Sequence, residues 1–385
     1  MTFRRLFLGL PVLALITAVM ASSEAPFRYV EGRHGRGELR HINGLPVLTL
    51  QGAPEEMAEE EAVLAAKSAG RMLGYPRALL TNYCAGIAWP WFLARGKELL
   101  PQFPADHRRE FDALVRAGLD PDLVLAGNTM FDITKCIACS SIVIEANRSA
   151  TSVPLFGRNL DFPTLGYLQE YSLVKVYHPD GKHAFAAIGF PGLIGCLSGM
   201  NDAGLAVAVL EAFAAGDGSP QLDLKGTPYA LCIRRILEEC TTVDEAASLL
   251  RSLRRTTRFN LAVCDRHGGA VFEVTPKSLA VRAPSDGTCL CTNHFHTAGV
   301  APKWHSNIQE TRDRYQILLD QTYGAGKLDV SDVTEILHAV NQDSHTLQSM
   351  VFEPAALRLH LAIGPCPATK QPYRTLELRD MFARQ

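Results

Sequence analysis

Cys139-Ser140-Ser141-Ile142-Val143 stands where the chain changes character. Upstream, the sequence reads mainly as helix. Pro54 opens a run over 54–73, Glu55, Glu56, Glu59, Glu60 and Glu61 fill its first half, and Gly74-Tyr75-Pro76 ends it. Two more helices are expected over 105–117 and from Pro121 to Asn128. Downstream, β-rich runs at 140–145, 155–160, 173–177, 184–188 and 205–210 are short and punctuated. Pro154, His178-Pro179-Asp180-Gly181 and Asn201-Asp202-Ala203-Gly204 mark the turns. Helices return at 228–239 and 243–253. Strands 260–264 and 270–274 flank the turn Asp265-Arg266-His267-Gly268-Gly269, and 279–282 adds a third. Helices at 306–321 and 331–341 precede late strands at 357–363 and 375–378. Many strands joined by tight turns, with helices outside, predict an α+β fold: two stacked, mainly antiparallel sheets in an αββα sandwich.

The remaining properties bound the function. A chain of 385 residues with 47% apolar content buries a large core, and a net charge of −2 excludes a broad basic surface for nucleic acid. Residues 1–21 read as an export signal: Arg4 and Arg5, an apolar run from Leu6 to Met20, and the small-residue pattern Val19-Met20-Ala21. That run has 15 residues, short of the roughly 20 that span a bilayer. The Arg4-Arg5 pair also suits a twin-arginine signal. The mature chain is therefore expected outside the cytosol, in the periplasm or medium, with no stable membrane span.

Common site patterns are missing. There is no G-x-S-x-G elbow, P-loop, G-x-G-x-x-G or H-E-x-x-H. Two cysteine groups remain: Cys136-Ile137-Ala138-Cys139, and Cys289-Leu290-Cys291 followed by His294 and His296. They leave a redox pair or a metal site open, although about 150 residues separate Cys139 from Cys289 and compact zinc modules are far tighter. Cys139 supports a different chemistry. A thiol at the start of a strand can attack the Ala138 carbonyl, release the chain up to Ala138 and free its own α-amine. An α-amine has an ordinary pKa near 8, so it can act as base for its own side chain.

Four stretches occurring in this order resemble the cysteine N-terminal-nucleophile (Ntn) hydrolases. They are Cys139 to Val143; Gly157-Arg158-Asn159-Leu160-Asp161-Phe162; Gly189 to Gly195 running into Ser198 to Val207; and Thr292-Asn293-His294-Phe295. Thr346-Leu347-Gln348-Ser349-Met350-Val351 also fits. The resemblance is to the isopenicillin N acyltransferase family, and more distantly to acid ceramidase, N-acylethanolamine acid amidase and the choloylglycine/penicillin V amidases. It implies Cys139 as nucleophile, Arg158 beside its sulfur and Asp161 on its α-amine. It further implies Asn293 and the backbone N–H of Glu211 as oxyanion donors, and a later arginine, Arg312 or else Arg314, with Arg312 preferred. Several relatives have Asn at the Glu211 position, which puts the acyl or leaving-group preference in question.

The expected organisation is a signal over 1–21, a helical pro-part over 22–138 and a catalytic core over 139–385. The two parts would stay together as a self-derived heterodimer after cleavage. The expected activity is cleavage of a linear, non-peptide amide through a thioester on Cys139, or acyl transfer by the same route. The substrate is a small molecule whose acyl group is apolar by family analogy, and neither metal nor organic cofactor is called for. Two other classes stand beside it: an exported redox or metal-binding protein using Cys136/Cys139 and residues 289–296, and an inactive binding protein of the same fold.

Overall fold

The computed structural model describes residues 26–84, 88–304 and 307–383; the expected export signal over 1–21 lies outside them. In chain order the strands are β1 (Gly32–His34), β2 (Gly37–Ile42), β3 (Leu45–Gly52), β4 (Ala138–Ile144), β5 (Leu155–Asp161), β6 (Leu173–Pro179), β7 (Phe185–Gly189) and β8 (Ser198–Asn201). There follow β9 (Ala206–Glu211), β10 (Phe259–Cys264), β11 (Gly269–Val274), β12 (Leu279–Arg282), β13 (Thr288–Cys291), β14 (Thr346–Glu353), β15 (Arg358–Ile363) and β16 (Arg374–Glu377).

They form a ten-stranded sheet, β1-β2-β3-β6-β7-β8-β9-β10-β11-β12, and a six-stranded sheet, β13-β4-β5-β14-β15-β16. Every pairing is antiparallel except β3 with β6. Alternation along β4 explains the layering. Cys139 and Val143 face the ten-stranded sheet and pack with Val207, Val209, Leu261 and Val263. Ile142 and Ile144 face outward and pack with Leu318, Val333 and Leu337 of the helices Thr311–Thr322 and Val330–Ala339. Helix Tyr229–Glu239 covers the far face of the ten-stranded sheet. The architecture is the αββα sandwich. At Gly157 any Cβ would lie 2.5 Å from Val333 Cγ1, so glycine lets the outer helix close onto β5 next to Arg158.

The first third departs from the helical expectation. Residues 32–52 form β1–β3, and β3 runs parallel to β6 over six register pairs, from Val47↔Val174 to Gly52↔Pro179. The cause is local: Asn43 (φ 51°) and Gly44 (φ 79°) make a two-residue turn between β2 and β3, and both accept the left-handed conformation. Helices Tyr75–Cys84, Ala88–Leu99, Ala105–Arg116 and Pro121–Ile133 follow. Buried ion pairs tie this part to the rest: Glu110 with Arg234, and Glu61 with Lys175 at 3.2 Å.

Among the described residues no helix is long and apolar enough to cross a membrane.

Candidate active site

β4 and β5 run side by side in the six-stranded sheet, between β13 and β14. Their register sets Cys139 opposite Leu160, Ser141 opposite Arg158 and Ala138 opposite Asp161. Arg158 and Cys139 thus share the inner face. The Arg158 Nη2 donates to Cys139 Sγ at 3.1 Å and to the Val209 carbonyl at 2.9 Å, while Nη1 donates to Ser198 Oγ. The thiol is fully buried. Burial raises its pKa, and the Arg158 charge opposes that rise.

Asn293 follows β13 and spans the Ala138–Cys139 bond. Its Oδ1 accepts from the Cys139 N–H at 2.8 Å and from Arg314 Nη2 at 2.9 Å. Its Nδ2 donates to the carbonyls of Ile137 at 3.1 Å and Glu211 at 2.8 Å. Two donors on one side and two acceptors on the other fix the orientation of the amide. Both N–H groups are therefore taken, and one of their acceptors, Ile137 O, lies just upstream of Cys139.

Asp161 is fully buried. Its Oδ1 accepts from Thr346 Oγ1 at 2.5 Å, and its Oδ2 has no partner among the described residues. Burial lifts its pKa to about 6 against the charges of Arg314 and Arg158 and the bond from Thr346.

Arg314, rather than the preferred Arg312, is the later arginine that reaches Cys139. Its Nη1 donates to Cys139 O at 2.5 Å and to Ser140 Oγ at 2.7 Å. Arg312 sits two positions earlier on the same helix, about 200° away around the axis. It is half-buried, and its charge bears on His294 and His296.

Glu211 takes part through its side chain as well as its backbone. Oε2 accepts from the Ile137 N–H at 3.0 Å, and Oε1 accepts from the Tyr229 hydroxyl at 3.2 Å. Burial raises its pKa to about 7, opposed first by Lys135. Lys135, Tyr229, Ser198 and Thr346 had no assigned role in the sequence. Ser198 and Thr346 lay in quoted motifs, but Tyr229 carried no local signal.

Cys136 packs near Thr134, with its thiol pushed up to about 12 by burial and by Glu211. Cys136, Cys139, Cys196, Cys232, Cys240, Cys264, Cys289, Cys291 and Cys366 are free thiols. Among the described residues no three His, Cys, Asp or Glu side chains are grouped to hold a metal ion. The arrangement around Cys139 combines a thiol, a guanidinium on the sulfur, an amide across the preceding peptide bond and a buried carboxylate.

Residues 147–365, more than half of the chain, match the family described as acyl-coenzyme A:6-aminopenicillanic acid acyl-transferase. The chain belongs to that family. The matched span holds Arg158, Asp161, Glu211, Asn293 and Arg314 of this acyl-transferase family member and begins just after Cys139. Curated relatives are distant. An uncharacterized protein of Archaeoglobus fulgidus is 25% identical over 311 residues, which cover 70% of this chain and 51% of that one. Protein dcd1A of Dictyostelium discoideum is 22% identical, covering 72% and 62%. The chain thus spans about half to three-fifths of the length of these relatives. Among solved structures, the Caenorhabditis elegans ortholog of N-acylethanolamine-hydrolyzing acid amidase aligns with a TM-score of 0.47 and 17% identity, covering 62% of this chain and 100% of that one. Penicillin V acylase from Agrobacterium tumefaciens aligns at 0.43 and 14%, covering 59% and 84%.

Proposed function

We propose that this protein is an exported, self-processed cysteine amidohydrolase or acyltransferase acting on a linear, non-peptide amide. The observation that carries the reading is the enclosure of the Ala138–Cys139 bond. Arg158 holds the sulfur, and Asn293 binds the backbone on both sides of the peptide. In the first reaction Cys139 Sγ attacks the Ala138 carbonyl carbon and the peptide C–N bond breaks. The thiol proton passes to the departing nitrogen, which becomes the α-amine. Water then hydrolyses the Ala138 thioester and restores the thiol.

In turnover the α-amine takes the thiol proton as sulfur attacks the substrate amide, and it returns that proton to the leaving amine. Water or a second amine resolves the thioester. Arg158 stabilises the thiolate, and the freed α-ammonium supplies the partner that Asp161 Oδ2 lacks. Asn293 Nδ2, released from Ile137, becomes available to an oxyanion, joined by the Glu211 backbone N–H. A small apolar pocket of about 40 Å³ lies between Met72, Tyr75, Met130 and Phe131 of the pro-part and Phe162 and Phe190 of the core. It suits a short apolar portion of the substrate.

The two parts form a heterodimer after the cut. Export through residues 1–21 belongs to the same proposal; N-terminal sequencing of the periplasmic or secreted protein tests it, with a start near Ser22 expected and a retained Met1 contradicting it. The redox and metal readings lose support because the Cys139 sulfur is engaged by a guanidinium rather than by another thiol or a ligand set. Labelling of Cys139 by an electrophilic acyl probe separates the enzyme from an inactive binder. Stoichiometric labelling that Arg158→Ala abolishes is expected, and an inert Cys139 in the cleaved protein contradicts turnover.

A further inference from the structure

An oxyanion donor has to stand in place before charge develops, yet Asn293 lies beyond the end of β13, outside any strand or helix. The ten-stranded sheet holds it with a clamp. Asn260 of β10 and Glu273 of β11 are register partners, and both are fully buried. Asn260 Nδ2 donates to the Thr292 carbonyl at 2.9 Å and to the His294 carbonyl at 3.1 Å, so it grips the chain on each side of Asn293. Its Oδ1 has no partner among the described residues, and the two carbonyls alone orient the amide. Glu273 takes the backbone further on: Oε1 accepts from the His296 N–H and Oε2 from the Thr297 N–H, each at 2.8 Å. From the outer helix, Thr311 Oγ1 accepts the Asn293 N–H at 2.7 Å. None of these groups belongs to residues 22–138, so a cut after Ala138 leaves the clamp intact.

We propose that Asn260 is a positioning residue for amide cleavage: it fixes the backbone of Asn293 so that Nδ2 meets the developing oxyanion, with Glu273 as the second half of the clamp. The inference rests on the reading of Cys139 as nucleophile and Asn293 as oxyanion donor. The cut itself creates the need for such a clamp. Cleavage turns the Cys139 amide into an amine and releases Ile137 O, two of the groups that hold the Asn293 side chain. Arg314 and the Glu211 carbonyl remain. A side chain with fewer restraints keeps its aim only if its own backbone is fixed. The tolerance is small, because a misplacement of about 1 Å costs up to ~10²-fold in rate. Asn260 acts through Asn293, by holding the peptides on both sides of it.

The test uses p-nitrophenyl hexanoate, an activated ester whose attack by Cys139 also passes through an oxyanion and forms a thioester. Processed wild-type protein is compared with Asn260→Ala, Asn293→Ala and the double variant. The amplitude of the nitrophenolate burst counts working sites, and its maximal rate reads transition-state stabilisation. A merely structural loss therefore lowers the amplitude and leaves the rate. Asn260→Ala is expected to lower the maximal rate about tenfold, with the half-saturating ester concentration within about twofold of wild type. In the Asn293→Ala background the same substitution should change the rate by less than about twofold, because the clamp then has no donor to aim. An unchanged rate in Asn260→Ala, a loss confined to half-saturation, or an equal fall in both backgrounds overturns the assignment. If an Asn260 or Asn293 variant does not fold or stays uncut, Glu273→Gln decides. It keeps the shape of the clamp but replaces one acceptor oxygen by an amide NH₂, and the maximal rate should fall about threefold or more at unchanged half-saturation. An unchanged rate there overturns the clamp. Wild-type protein without Cys139 at a new N-terminus, or without a burst, fails at the earlier step and overturns the nucleophile assignment itself.

Discussion

Arg314→Lys separates the geometry of this site from its charge. The Arg314 fork spans three groups at once: Cys139 O at 2.5 Å, Ser140 Oγ at 2.7 Å and Asn293 Oδ1 at 2.9 Å. Lysine keeps the positive charge near Asp161, but a single ammonium on a flexible stem cannot reach both arms of the fork. The loss falls on Asn293. In the uncut chain its Oδ1 has two donors, the Cys139 N–H and Arg314. After cleavage the Cys139 nitrogen is an amine, and Arg314 becomes the main restraint on the amide. Complete loss of an oxyanion donor costs about 2.7–4 kcal/mol. A donor that is present but loosely held forfeits about half of that, or roughly 10–30-fold in kcat. KM should move much less, because the interaction belongs to the transition state. Rapid-quench measurement of thioester formation on Cys139 reads the effect directly. Arg312→Ala, two residues away, should change the rate by no more than about twofold. Arg314→Lys within about twofold of wild type, or Arg312→Ala equally damaging, would refute this reasoning.

Asn293→Ala should lower kcat by about 10²–10³ with a modest change in KM; a loss confined to KM would make Asn293 a binding group only. Glu211 gives a pH signature of stability. Its carboxyl is raised to about 7 in the fold, so the fold is favoured while that group is protonated. The advantage is fully present below the unfolded value near 4.3 and is lost as pH rises through about 7. Glu211→Gln in the Cys139→Ala background should therefore gain about 3 kcal/mol relative to its parent between pH 4.5 and 7.5. A difference in melting temperature that stays constant across that range would contradict the cause assigned. The cleaved parts should co-elute under native conditions and separate in denaturant. Separation would leave the β6 edge open where β3 paired and strand the buried charges of Glu110 and Arg234; spontaneous dissociation would contradict this.

Much of the sandwich was legible because its strands are short, apolar and bounded by turn residues. The hairpin around 265–269 is an example: Asp265 Oδ1 accepts the N–H groups of His267 and Gly268 at 2.8 and 3.2 Å, a bond pattern written in local sequence. The β2–β3 hairpin carries an equally local signal in Asn43-Gly44, next to the stronger signal of the glutamate-rich helix that follows. Strand β13 is only four residues long, Thr288–Cys291, and its two cysteines also fit a ligand pattern, so its sequence does not single out a strand. For the arginine pair, helical periodicity separates positions 312 and 314 by more than half a turn, but it does not say which face meets Cys139. That depends on the packing of Leu318 and Val333 against Ile142 and Leu155, a contact between distant segments. The Glu211 side chain was opaque for the same reason. Its partners, Ile137 and Tyr229, lie 74 and 18 residues away.

The central claim is that the Ala138–Cys139 bond is cut by its own thiol, and intact-mass analysis with N-terminal sequencing of the purified protein tests it most directly. Wild-type protein should give two chains, the larger beginning at Cys139. Cys139→Ala should remain one chain, Cys139→Ser should cut slowly at most, and Cys136→Ala should cut at the same bond. A cut that persists in Cys139→Ala, or wild-type protein that turns over amides while uncut, contradicts the account.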